Sequence, residues 1–272
     1  MFCLEWIWGL LGSLLIAGVA YWKGSLSLSG TLAAVLLGTT MFALGSFAWA
    51  GTLIAFFISS TLLSKFKHKR KARAESGYAK SGRRDAGQVA ANGGIGLLLC
   101  LGHAWLPHPA WWAIFVGVMA TVNADTWATE IGGLSKTEPR SIVSGKRVSA
   151  GTSGGVTGFG LLASLLGGLF IGLAGWLCSQ MGQLETGISF LPLLLLAALS
   201  GLLGSLIDSW LGATLQVMFR CDVCGRTIEK QVHCEQRARQ VRGMSGMTND
   251  YVNAVSSLAG GLICLVLSCF VS

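Results

Sequence analysis

Thr31–Leu63 is a run of 33 consecutive residues without a charge. A single helix of that length would extend about 50 Å, against a hydrocarbon core of about 30 Å. Lipid offers no partner for an open backbone N–H or C=O, so such a segment has to be helical wherever it meets the bilayer. The run is therefore expected to break near Gly45-Ser46 into two short spans, Gly30–Gly45 and Ser46–Ser64. Further apolar runs cover Leu4–Trp22, Gln88–Trp105, Ala110–Trp127, Gly154–Leu177, Phe190–Gln216 and Tyr251–Phe270. They predict an all-α, polytopic transmembrane helical bundle of eight spans, or seven if the long run stays continuous.

Composition excludes the soluble alternative. Apolar residues make up 52% of the 272-residue chain, charged residues only 12%, and mean hydropathy is +0.62. Soluble domains average about 25% charged residues. The first ten residues, MFCLEWIWGL, contain Glu5 and no basic residue, so they lack the n-region of a cleaved signal peptide and read as a retained helix.

Charge placement sets the topology. With eight spans, Lys23, the segment Lys65–Arg84, the loop Lys136–Arg147 and the loop Arg220–Arg242 all fall on one side. They carry 1, 9, 4 and 6 basic residues, which is every one of the 20 in the chain. The opposite loops, His103–Pro109 and Gln180–Ser189, carry none. This is the positive-inside pattern. It predicts one membrane domain over residues 1–272 in the inner, cytoplasmic membrane, with 65–87, 132–153 and 217–249 as cytoplasmic loops. The excess of +8 then reflects topology and contact with anionic membrane lipids. No aromatic platform interleaves with the basic run KFKHKRKAR, so nucleic acid is not an expected partner.

Polar residues recur at helical spacing where four spans meet that face. Asp85, Gln88, Asn92 and Gly96 form one row. Thr121, Asp125 and Thr129 form a second, with Asn123, Thr126 and Glu130 beside it. Gly201, Ser205, Asp208, Gly212 and Gln216 form a third, and Asn249-Asp250, Asn253, Ser257 and Gly261 a fourth. Carboxylates at membrane depth are costly and face a bundle interior, a partner charge or an ion. Four such rows at one depth predict a shared site. Asp125-Thr126-Trp127 and Asp208-Ser209-Trp210 also echo one another, too briefly to define a repeat.

The stretch Asn123–Gly155 concentrates the chemistry. Asp125 and Glu130 end an apolar run, Lys136, Arg140, Lys146 and Arg147 follow, and Gly151-Thr152-Ser153-Gly154-Gly155 opens the next run. Acids suit a divalent metal, cations suit phosphates, and a glycine turn before a helix can cradle an anion. The plain alternative is a charged loop joining two spans.

The cysteines divide by place. Cys3, Cys100, Cys178, Cys264 and Cys269 lie in or at the ends of spans and read as small apolar residues. Cys221, Cys224, His233 and Cys234 share one polar loop and suit a structural Zn²⁺ by type and spacing. The rival reading is a set of reduced thiols.

RRDAGQVAANGG, ADTWATEIG, KTEPRSIVSGKRVSAGTSGG, GSLIDSWLGATLQ and NDYVN resemble the signature blocks of an integral-membrane family. That family was long catalogued as of unknown function and includes the plant phytyl-phosphate kinase and vertebrate transmembrane protein nineteen. The likeness extends from about Gly30 to the C-terminus. A looser similarity reaches the CTP-dependent dolichol and phytol kinases, which share an Asp at a helix end, a basic loop, a Gly-Thr turn and a late Asp-Asp-Asn block. Here the first Asp of that block is Asn249.

The resemblance implies a kinase moving a phosphoryl group from a nucleoside triphosphate, CTP by analogy, to a phytyl- or polyprenyl-type isoprenoid monophosphate. On this reading Asp85, Asp125, Asp208 and Asp250 are catalytic, and Asp125, Glu130 and Asp208 hold Mg²⁺ or another divalent metal. Arg83, Arg84, Asn92, Lys146, Arg147, Gly151, Thr152, Ser153, Asn249 and Asn253 bind the phosphates of nucleotide and lipid. Two other classes stay open: a lipid-phosphate transporter or flippase, and a CTP-dependent cytidylyltransferase. The oligomeric state is left open.

Overall fold

The computed structural model describes residues 2–66, 77–80, 82–184 and 186–271. Most of the basic run after Lys65, expected as a solvated or lipid-facing segment, lies outside the described residues. Among the described residues seven helices follow in order: α1 Phe2–Trp22, α2 Leu28–Lys65, α3 Ala86–Trp105, α4 Pro109–Gly132, α5 Gly158–Met181, α6 Phe190–Thr214 and α7 Asn249–Ser268. Among the described residues five of these, α1, α2, α5, α6 and α7, are long and apolar enough to cross a membrane. The other two, α3 and α4, carry the polar rows that dilute their hydropathy.

The 38-residue α2 is not one straight rod. Ser46 leaves helical geometry at φ 69 and ψ −176. Leu37 and Leu53 both pack on Gly93 of α3, although sixteen residues of straight helix would separate them by about 24 Å. The two arms therefore fold back as a hairpin. Its feet meet at one residue: the Ser27 N–H donates to the Arg84 carbonyl at 3.0 Å, and the Arg84 guanidinium donates to Ser60 Oγ at 3.0 Å. The break falls where the length of the run demands it, on the Gly45-Ser46 pair.

Caps fix the starts of the other helices. Asp85 caps α3 by accepting the Gln88 N–H at 2.9 Å, and the Gln88 side chain answers at the Asp85 N–H, a closed capping box. Thr157 caps α5 through the Gly160 N–H at 3.0 Å.

At the centre stands α4, packed by α5, α6 and α7. Lipid tails are as apolar as leucine, so burial alone does not join helices in a membrane; close backbone approach does. Gly117 of α4 lies against Gly260 and Gly261 of α7, and Gly201 of α6 against Ala120. A Cβ at Gly201 would come within 3.0 Å of the Ala120 carbonyl, so Gly201→Leu should pry α6 from α4. Above this seam Trp49, Trp112, Phe115 and Met119 form a dry cluster, with the Trp49 and Phe115 rings 4.5 Å apart. Large side chains such as Leu15, Leu32, Leu62, Leu98, Leu191 and Val266 point outward instead, the inverse of a soluble protein.

The two ends differ in chemistry. At one end lie every described Lys and Arg, tied together by Lys65 Nζ on the Lys23 carbonyl (3.0 Å) and by Ser153 on Gln216 (2.7 Å). At the other lie Ser46, the α3–α4 turn and the α5–α6 turn, where Gly182 packs on Ser46 and Ala48. Short antiparallel strands fold the basic loops. In the α4–α5 loop β1 Arg140–Ser141 pairs with β2 Gly155–Val156. After α6 come β3 Met218–Arg220, β4 Thr227–Ile228, β5 Val232–His233, β6 Gln236–Arg237 and β7 Arg239–Arg242, in sheets β4-β3-β7 and β5-β6. The bundle is all-helical in its membrane part, as expected, and the loops carry small sheets that the sequence reading did not anticipate.

Candidate active site

Asp125 of α4 and Asp208 of α6 lie near the basic end, close enough that the Asp208 charge acts on Asp125. Asp208 is only 9% exposed. It accepts the Ser256 hydroxyl at 2.7 Å, and Asn253, its amide nitrogen turned toward the acid, donates to it at 3.1 Å. Asp125 accepts from Ser205 at 3.4 Å, and Ser205 is 3.3 Å from Ser164 of α5. Four helices thus contribute to one oxygen-rich cluster. Its donor set of two carboxylates, three hydroxyls and an amide is of the kind that hard divalent cations prefer.

Glu130, grouped with this pair in the sequence reading, is elsewhere. Five residues rotate a helix by about 500°, or 140° beyond a full turn, so Glu130 leaves the Asp125 face. It accepts the Ser64 hydroxyl of α2 at 2.5 Å and stands near Arg84. Three acids therefore do not converge; two do. The adjacent row is structural at its start: Asn123 is fully buried, accepts from Ser59 at 2.9 Å and donates to the Gly167 carbonyl at 2.8 Å.

Arg84 heads a different compartment. Its guanidinium donates to Ser60 and sits 5.9 Å from the ring centroids of Phe56 and Phe57. Burial lowers its pKa from the ordinary arginine value, with the Glu130 charge working the other way. Beneath it runs a narrow apolar cavity lined by Ala17, Leu26, Leu37, Leu53 and Val89, with Gln88 and Asn92 as its polar wall. Arg83 is not part of this lining and lies 5.9 Å from the Tyr21 ring. A cation over an apolar slot between α1, α2 and α3 suits an amphiphile with an anionic head.

Lys80, which the sequence reading passed over, joins two of the named acids. It bonds to Asp85 at 3.0 Å and to Asp250 at 2.5 Å. Burial opposes its charge, but the hydrogen bonds to Asp250 and Asp85 outweigh it and raise its pKa above the lysine norm. Desolvation likewise pushes Asp85 up, while the Gln88 N–H and Lys80 more than offset it and hold the carboxyl below the aspartate norm. Asp85 is thus a helix cap in an ion pair. The Asp-x-x-Gln spacing is a capping-box signature and could have disclosed this. Asn249-Asp250 opens α7, and the Asn249 carbonyl accepts from Asn253, which links the Lys80 clamp to Asp208.

The cations after α4 form a third feature. Lys136, Arg140, Arg147 and Thr157 line an open cavity of about 530 Å³ at the start of α5. Arg147 lies 3.8 Å from Glu138, both well exposed. Lys146 points to solvent outside this lining. The glycine turn docks elsewhere. Gly154, at φ +83, presses on Ser209 and Ala213 of α6, and Ser153 donates to Gln216. Gly151, also at φ 83, and Thr152 shape this turn, which braces the end of α6 just beyond Asp208. From Thr157 to Ser164 is two turns of α5, about 10 Å, so the basic cavity adjoins the acid pair.

Cys221, Cys224, His233 and Cys234 converge on the ribbon after α6, with all four ligand atoms within 4.8 Å of one another. The Cys224 N–H and His233 hold the Cys221 thiol down to about 6.

No solved structure matches the chain. An uncharacterized membrane protein of Methanocaldococcus jannaschii is 28% identical over 160 residues, 58% of this chain and 52% of that one. Protein PGR of Arabidopsis thaliana is 33% identical over 227 residues, 77% of each chain. The family described as integral membrane protein DUF92 matches residues 11–261, a span that takes in the Arg84 compartment, both carboxylates and the cysteine ribbon. A match of that extent, on a bundle whose polar rows meet at one membrane face, makes this chain a member of the integral membrane DUF92 family.

Proposed function

We propose that this chain is a membrane-embedded kinase that transfers the γ-phosphoryl group of a nucleoside triphosphate, CTP by resemblance, to an isoprenoid-lipid monophosphate at the cytoplasmic face. One observation carries the reading: Arg84 at the head of an apolar slot shares a bundle end with Asp125 and the buried Asp208. An anionic lipid and a cation-bound polyphosphate are the reactants that such a juxtaposition suits.

The chemistry asks little of side chains beyond position and charge. Arg84, Asn92 and Gln88 receive the lipid phosphate, and the apolar slot takes the first part of its tail. Asp125 and Asp208 would hold a divalent cation such as Mg²⁺, which neutralises the nucleotide phosphates when bound. Two carboxylates completed by substrate oxygens is the usual protein share of a Mg²⁺ site. Lys136, Arg140 and Arg147 accept the remaining negative charge of the nucleotide. A lipid phosphate oxygen attacks the γ-phosphorus, the bond to the β–γ bridging oxygen breaks, and lipid diphosphate and nucleoside diphosphate leave. The second pKa of a phosphate monoester is about 6, so the attacking oxygen is already anionic at neutral pH. No general base is required, and Asp250 is free to stay paired with Lys80.

Purified protein is incubated with Mg²⁺, an isoprenyl monophosphate and CTP labelled at either the α- or the γ-phosphate. Label from the γ-position in the lipid product supports the kinase. Label from the α-position would replace it with a cytidylyltransferase, and no labelled lipid across a panel of isoprenyl phosphates would return the chain to the transporter class.

A further inference from the structure

We propose that Cys221, Cys224, His233 and Cys234 bind one structural zinc ion, and that this ion fixes the segment carrying Lys80. The proposal is independent of the kinase reading.

The geometry comes first. A tetrahedral zinc with Zn–S about 2.3 Å and Zn–N about 2.0–2.1 Å sets its ligand atoms roughly 3.5–3.8 Å apart. In the ribbon His233 Nδ1 lies 3.5 Å from Cys224 Sγ and 3.2 Å from Cys234 Sγ, and no pair among the four exceeds 4.8 Å. The two measured His233–thiol separations are within a few tenths of an ångström of this cage, and no pair has to close by more than about 1 Å.

The backbone is built for it. Cys221 and Cys224 occupy a tight turn between β3 and β4, closed by the Gly225 N–H on the Cys221 carbonyl at 2.8 Å, with Gly225 at φ 71. Neighbouring residues on a strand point to opposite faces. His233 and Cys234 escape that alternation because Cys234 and Glu235 take φ 50 and 62 in the β5–β6 turn. Two non-glycine residues in the left-handed region are unfavourable, and the ordering is explained if a ligand rewards it.

The ribbon has little else to hold it. Met218, Cys221, Ile228 and Ala238 are its buried apolar residues, while Val223, Val232 and Val241 are exposed. A cross-link of this kind substitutes for a core in small elements. The ribbon also grips a distant part of the chain. The Glu229 N–H donates to the Gly77 carbonyl at 2.9 Å, and Glu229 Oε2 accepts the Ala79 N–H at 3.0 Å. Lys80 follows directly and clamps Asp85 to Asp250.

Full-length protein purified in detergent without chelator is assayed for metal by elemental analysis and, after exchange, with Co²⁺ as the probe. The expected result is about one zinc per chain, and visible bands of tetrahedral thiolate-bound cobalt that are lost in Cys224→Ser and His233→Ala. Hydrogen exchange at the Ala79 and Glu229 amides should rise on the order of tenfold or more when zinc is stripped, while α4 and α6 stay protected. Less than about a tenth of an equivalent of zinc, together with no cobalt spectrum in the wild-type chain, would overturn the site. So would a Cys221–Cys224 disulfide found by mass mapping. Zinc present with unchanged exchange at Ala79 would keep the site and overturn its hold on Lys80.

Discussion

Ser205 donates to Asp125 across the α4–α6 seam at 3.4 Å, one turn before Asp208 on the same helix. Helix α6 thus carries one acid of the pair and positions the other. Asp208→Asn and Asp125→Asn each preserve shape and remove a charge that a divalent cation needs. Each should lower the phosphoryl-transfer rate on the order of 10²-fold or more, the scale of losing a main electrostatic stabiliser. Folded yield should hold, because deleting a membrane-buried charge favours the embedded state. Near-normal turnover per folded molecule in Asp125→Asn would remove the metal-holding role.

Glu130→Gln separates the two compartments. Its carboxylate touches Ser64 and the Arg84 region rather than the acid pair. The expected change is therefore a KM for lipid phosphate altered by a few-fold, with the dependence on Mg²⁺ concentration unchanged. A shifted Mg²⁺ requirement in this variant would place Glu130 back among the ligands.

Lys80 sets a pH expectation. Its raised pKa means that its contribution is fully present below the unfolded lysine value and is lost as pH rises through the higher folded value. The depressed Asp85 contributes above the unfolded aspartate value, and that contribution is lost as pH falls through the lower folded one. Between about pH 5 and 9 the clamp is constant. Lys80→Met should then lower activity by the same factor across that window, up to about fivefold for so exposed a pair. A factor that changes between pH 6 and 8 would mean another group titrates with it.

Much of this was legible in the residues. The α2 hairpin followed from 33 uncharged residues against the thickness of a bilayer, and Ser46 is where it turns. The rows through Asp125, Asp208 and Asn253 followed from helical spacing, and the structure brings them together. Glu130 was misplaced because adjacent rows on α4 face different neighbours, α2 on one side and α6 on the other. Ser256 and Ser164 were missed because a lone serine in a small-residue helix carries no signal until its partner is known. Lys80 was missed because one cation in a basic segment looks like any other; its partner Asp250 is 170 residues away.

The loops give a topology test that needs no activity assay. Single cysteines replacing Lys136 and Lys230, in a chain whose Cys3 and Cys269 at the opposite end are changed to serine, should share one side, and Leu106→Cys the other. An impermeant maleimide on intact cells should label Leu106→Cys alone. Labelling of the Lys136 or Lys230 position under the same conditions would invert the membrane orientation.

Arg84 is the residue on which the lipid-head reading turns. Its guanidinium is desolvated, lies 5.9 Å from the Phe56 and Phe57 ring centroids and is answered by Ser60 and the Glu130 charge. Among the described residues this desolvated cation meets one hydroxyl and the Glu130 charge, an arrangement that an anion would complete. Its planar fork can bind a phosphate through two N–H groups, which an ammonium cannot. Arg84→Lys should therefore weaken binding of an isoprenyl phosphate about tenfold, and Arg84→Met by more, while binding of Mg²⁺–CTP stays within about twofold. Thermal stabilisation of the purified protein by the lipid phosphate and by the nucleotide, measured separately, reads the two sites apart. If Arg84 only braced the foot of the α2 hairpin, Arg84→Met would lower the melting temperature without ligand and leave the lipid-induced shift intact, and the lipid-phosphate assignment would fail.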